Sequence, residues 1–175
     1  MRIHVKAAIL LGSLILLAMA LLAQSDTTQS GSAVGRWKLN TQKSDFGKMP
    51  GPKSATLVVT EDTASAVKWH MTGVDAQGKK IAESYDGPVD GTEHPIAGSG
   101  MAQAVAYTRS ADKTVEANVK MKDGSTAHET ITMSDDSNTM TLKGTASGPN
   151  GDTNWTEVFD RAGGGKKMKT AAAKK

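Results

Sequence analysis

The chain contains no cysteine. Disulfides and thiolate metal sites are therefore excluded, and so is lipid attachment at a cysteine following a leader. Aromatic residues are scarce, with three Trp, two Tyr and two Phe in 175 residues. Helical periodicity is nearly absent beyond residue 24, so no core helix is expected. No phosphate loop, dinucleotide fingerprint, G-x-S-x-G frame or H-E-x-x-H spacing occurs. His70, His94 and His128 stand on separate segments without metal-ligand spacing, so neither a metal nor a cofactor is expected. With no nucleophile–base pair visible, an enzyme ranks last among the function classes.

What is present begins with a compartment signal. Residues 1–6, "MRIHVK", carry Arg2 and Lys6, and residues 7–23 carry no charge. A basic end, an apolar run and small residues form the layout of a secretory signal peptide, with Ala20 or Ala23 ending the cleavable part. The alternative is an uncleaved anchor, since 17 apolar residues lie near the lower limit of a membrane span. The expected location is periplasmic or secreted. Residues 24–33 are polar and read as a disordered linker, 34–161 as one domain, and 162–175 as a disordered Lys-rich tail.

The charge balance follows this division. Of 21 basic residues, two lie in the leader and five in the tail, which leaves 14 against all 18 acidic residues in 24–162. The domain itself is mildly acidic, so it is not expected to bind nucleic acid, which needs a basic face. Membrane contact is expected only through an uncleaved leader or weakly through the tail.

Alternating apolar and polar residues recur between turn signals throughout 34–161. The pattern predicts strands over 34–40, 54–61, 65–73, 79–86, 102–109, 114–121, 125–134, 138–145 and 153–160. The Gly- and Pro-rich stretch around 87–100 predicts a turn with a short edge segment at 93–97. Short loops imply antiparallel neighbours, and one apolar face per strand must be covered. With no helix to cover it, the sheet must close on itself. The expectation is an all-β, antiparallel, up-and-down barrel of about 8–9 strands following an N-terminal signal helix.

Gly35-x-Trp37 on the first strand resembles the G-x-W signature of lipocalins and related calycin barrels. The resemblance implies that Trp37 packs at the closed end with a basic residue of the last strand over its indole. Arg161 stands where that partner would be. A nearer resemblance is to small exported bacterial proteins that open G-x-W-x-L-N-x-x-K-S-x-F, matched by Gly35, Trp37, Leu39, Asn40, Lys43, Ser44 and Phe46. "DGTEHPIAG" at 90–98 and the closing Phe-Asp-Arg also fit. That group is described as lipocalin-like, so the resemblance speaks to compartment and fold rather than to an activity.

The candidate site comes from residues that break the alternation. Glu83, Tyr85, Tyr107, Arg109, Glu129 and Glu157 occupy the parity that otherwise carries apolar side chains. Pointing inward, they would give the barrel a polar lining suited to a polar or cationic small molecule, with Arg109 paired to one glutamate. Alternatively they lie at strand ends or on bulges that turn them to water. Two functions stay open: a module binding a small molecule in the barrel, or a non-catalytic structural or protein-interaction domain of the cell envelope with a filled barrel.

Overall fold

The computed structural model describes residues 32–147 and 152–163. The leader 1–23, most of the linker and most of the tail lie outside the described residues. Among the described residues there is no helix. There are eleven strands: β1 Gly35–Leu39, β2 Ser54–Asp62, β3 Ala66–Val74, β4 Lys80–Pro88, β5 His94–Pro95, β6 Ala97–Gly98, β7 Ala102–Ala111, β8 Thr114–Met121, β9 Thr126–Met133, β10 Thr139–Ser147 and β11 Thr153–Arg161.

All strand pairs are antiparallel, in the order β5-β7-β8-β9-β10-β11-β1-β2-β3-β4-β6. The result is a nearly closed barrel. The nine long strands coincide closely with the alternating segments of the sequence. The count of eleven, rather than eight or nine, comes from the turn-rich stretch after β4. β5 and β6 stand at the two ends of the sheet order, as an edge segment should, and the chain between them brings those ends together. His94 and Pro95 pair with Val105 and Ala104 of β7, while Ala97 and Gly98 pair with Ser84 and Glu83 of β4. Five residues thus join the two long strands that would otherwise expose unpaired backbone to aggregation. Pro95 lacks an N–H and Gly98 adopts φ 125°, so this stretch cannot form a long regular strand.

Inward side chains form two adjoining clusters. One contains Trp37, Ala55, Val59, Met133, Met140 and Phe159. The other contains Tyr85, Val105, Tyr107, Ala117, Val119, Ala127 and Trp155. Trp37 is fully buried, and the Arg161 guanidinium lies 4.1 Å from its ring centroid. Arg161 also donates to the carbonyls of Ser137 (2.6 Å), Val34 (2.7 Å) and Ser32 (3.3 Å). Gly35 has φ 145°, and a Cβ there would collide with the Arg161 guanidinium. The G-x-W spacing therefore has a local cause: glycine clears the path by which arginine reaches the indole. The indole N–H donates to the Ala33 carbonyl at 2.8 Å.

The remaining opening-motif residues tie the chain after β1 to β11. Asn40 donates to Asp160 at 2.6 Å, and Lys43 pairs with the same carboxylate at 2.9 Å. The Ser44 hydroxyl donates to the Asn40 carbonyl and accepts from the Val158 amide. These contacts brace the barrel wall from outside and leave the interior untouched. Ser32 and Ala33, which the composition places in the linker, belong to the ordered barrel end: their carbonyls accept from Arg161 and from the Trp37 indole.

Candidate functional site

A cavity of about 280 Å³ occupies the barrel interior. It runs from Asp62, Arg109 and Lys113 near one end to Glu83, Ala102 and Met101 near the other. Between them the wall is mostly apolar, with Val67, Met71, Val115, Ile131, Leu142 and neighbouring side chains. Five of the six residues singled out in the sequence face it: Glu83, Tyr107, Arg109, Glu129 and Glu157.

The strand register explains how bulky and charged groups fit together. One inner row runs Tyr107–Ala117–Glu129–Gly144–Trp155 across five strands. Small residues alternate with large ones, so the barrel curves without overpacking. At Gly144 a Cβ would collide with the Trp155 ring. The next row runs Arg109–Val115–Ile131–Leu142–Glu157. These rows place Glu129 and Glu157 in the middle of the apolar wall, away from strand ends.

Both side chains are half-buried and line the cavity. Burial raises Glu129 to about 8, helped by the negative charges of Glu157 and Glu83. Burial alone raises Glu157 to about 7. Neither has a hydrogen-bond or ion-pair partner among the described residues. Glu83 is also raised by burial, but it accepts from the Ala102 amide at 3.3 Å and feels Lys122.

Two expected site residues have other roles. Arg109 pairs with Asp62, not with a glutamate, and donates to the Thr63 carbonyl at 3.0 Å. Asp62 in turn accepts from the Ala33 amide at 2.7 Å. The sequence places Asp62 just past a strand ending at 61. A bulge between Val59 and Glu61 shifts the parity and turns Asp62 inward beside Val67. Tyr85 does not line the cavity. It stacks edge-on behind Tyr107, with centroids 5.1 Å apart, and donates to the Pro88 carbonyl at 2.7 Å. Tyr107 does line it, and its oxygen accepts from Trp69 Nε1 at 3.1 Å. Burial pushes the Tyr107 phenol well above its ordinary value, so it stays protonated.

Trp69 itself was not singled out by sequence, because an aromatic on an apolar parity carries no signal beyond core packing. The histidines stand apart from the cavity: His94 contacts Asp90 and Thr92, and His128 contacts Asn118 and Glu116. Among the described residues no group of His, Asp and Glu could hold a metal ion.

No protein-family model matches the chain, and no curated protein matches it. Among solved structures, a redesigned β-barrel is similar, with 11% identity and a TM-score of 0.49. The match covers 79% of this chain and 99% of that one.

Chemically, the site offers two lone carboxyl groups, a tyrosine hydroxyl and an apolar wall. It can take up a small molecule and bind a hydrogen-bond donor or cation.

Proposed function

We propose that this protein is an exported, lipocalin-like β-barrel that binds a small molecule inside the barrel. The observation that carries the reading is the cavity of about 280 Å³ with the Glu129 and Glu157 carboxyls facing it unpartnered. Natural interiors rarely leave buried polar groups without partners unless they have a use. The volume approaches that of ordinary small-molecule pockets, and the mostly apolar wall with few polar groups is the usual composition. The same cavity counts against the filled-barrel alternative. Export rests on the leader at 1–23, and the lipocalin likeness on Gly35, Trp37 and the Arg161 guanidinium over the indole.

Native mass spectrometry of the protein purified from its own host tests both parts. The expected result is a chain beginning after Ala20 or Ala23, carrying a small adduct that is lost on denaturation. A cytoplasmic chain retaining residues 1–23 would overturn export. A barrel without adduct that also takes up none of the probes named below would overturn ligand binding.

A further inference from the structure

We infer that the ligand is a small apolar amine, its ammonium group held by the Glu129 and Glu157 carboxylates and its hydrocarbon body lying along the apolar wall. The inference rests on the reading of the barrel as a small-molecule binder and names the class of molecule.

Five carboxyl side chains line the cavity: Asp62, Glu83, Asp112, Glu129 and Glu157. The cations nearby are committed elsewhere. Arg109 pairs with Asp62. Lys113 pairs with Asp135 at 2.9 Å. Lys122 donates to the carbonyls of Gly98 (3.0 Å) and Gly100 (2.7 Å). Among the described residues no cation contacts Glu129 or Glu157.

The three ligand classes then separate. A fatty acid or other anion finds no cation at either carboxyl and, once they ionise, meets like charge, which costs heavily in a low-dielectric interior. A neutral alcohol gives at most a partner to one. An ammonium supplies three donors and a positive charge, so it can satisfy both carboxylates through charge-assisted hydrogen bonds. The mostly apolar remainder of the wall selects against a strongly hydrated cation such as a bare metal ion and for an organic one. Trp69 and Tyr107 add aromatic faces to the same space.

The proposal also predicts proton release. Glu129 is faced by Tyr107 of β7, Glu157 of β11 and Glu83 of β4, while its register neighbours are Ala117 and Gly144. Leu142 is the β10 neighbour of Glu157. No cation among these groups holds the carboxyls ionised in the empty barrel. A docking ammonium would ionise them and drive protons into solvent.

The test is calorimetry on the purified protein with hexylamine, hexan-1-ol and hexanoic acid, at pH 8 and at pH 6.5 in two buffers of different ionisation enthalpy. The expected outcome is hexylamine binding at least about tenfold more tightly than hexanol, as one charge-assisted contact allows, with hexanoic acid weakest. Hexylamine should release protons at pH 6.5 and bind more tightly at pH 8. The Glu129→Gln/Glu157→Gln variant should lose that preference while still binding hexanol. Hexanol or hexanoic acid binding as tightly as hexylamine would overturn the amine assignment and leave the cavity as an apolar site. Binding of none of the three would overturn the binding reading itself. Should the double variant fail to fold, the ligand ranking and proton release in the unaltered protein decide the matter.

Discussion

Two polar constructions share one barrel interior, and they are built on opposite rules. Around Trp37 nearly every donor and acceptor has a partner. Arg161 covers the indole and reaches three carbonyls, and the indole N–H has its own acceptor. The Arg109–Asp62 pair follows the same rule at the turn between β2 and β3, apart from an unpartnered Arg109 Nε. Glu129 and Glu157 line the cavity half-buried, with no partner among the described residues. The first arrangement holds the barrel together. The second costs stability, and a cost retained amid an otherwise ordinary apolar wall points to use.

Substitutions can break that comparison from either side. The largest effect is expected from Trp37→Ala, which should lower unfolding stability by roughly 3–5 kcal/mol, as for other large buried aromatics. An unchanged urea midpoint would show that Trp37 is not part of the core. Arg109→Ala comes next, at roughly 3 kcal/mol, because it leaves the Asp62 carboxylate enclosed without its cation. Adding Asp62→Asn to that variant should recover part of the loss, and failure to recover would mean that the pair is not coupled.

The acid-lined region should respond to pH in the opposite sense from most carboxylates. Folded Glu129 and Glu157 keep their protons up to about 8 and about 7, whereas the unfolded chain releases them near ~4.3. Between those limits the folded state binds more protons, so rising pH favours unfolding. The empty barrel should therefore lose stability from about pH 4.5 to about pH 8. Solvent access to the cavity limits the total to on the order of 3 kcal/mol. Asp90, Asp123, Asp136 and Asp160 are lowered by their hydrogen bonds, so they act the other way only in more acid solution. Thermal melts across this range should show the slope, and the Glu129→Gln/Glu157→Gln variant should flatten it. A slope that persists in that variant would place its origin elsewhere. The smallest effect is expected for Tyr85→Phe, about 1 kcal/mol for the lost bond to Pro88. Ligand affinity should be unchanged, since Tyr85 stands behind the cavity wall.

Much of the barrel was legible because its signal is local. Val115, Ala117, Val119 and Met121 alternate with polar residues, and a strand with one covered face needs nothing more to be recognised. The same parity rule brought out Glu129 and Glu157, because a charge on the apolar parity is visible in a window of a few residues. The rule failed where geometry departs from strict alternation. The bulge after Val59 reversed the parity of Asp62 and hid the partner of Arg109. It was equally silent on Tyr85 and Tyr107, which share a parity and differ in whether the ring reaches the cavity.

The sequence by itself determined the number and phase of the long strands, the acidic balance of the domain and several of the polar residues that line the cavity. These follow from backbone pleat and composition, which short windows contain. Only the tertiary structure decided that 94–98 joins β4 to β7, that Arg109 belongs to Asp62, and that Glu129 and Glu157 face a cavity without partners. Partnership inside a barrel depends on strands far apart in the chain meeting across a curved sheet, and that distance is set by closure rather than by any local pattern.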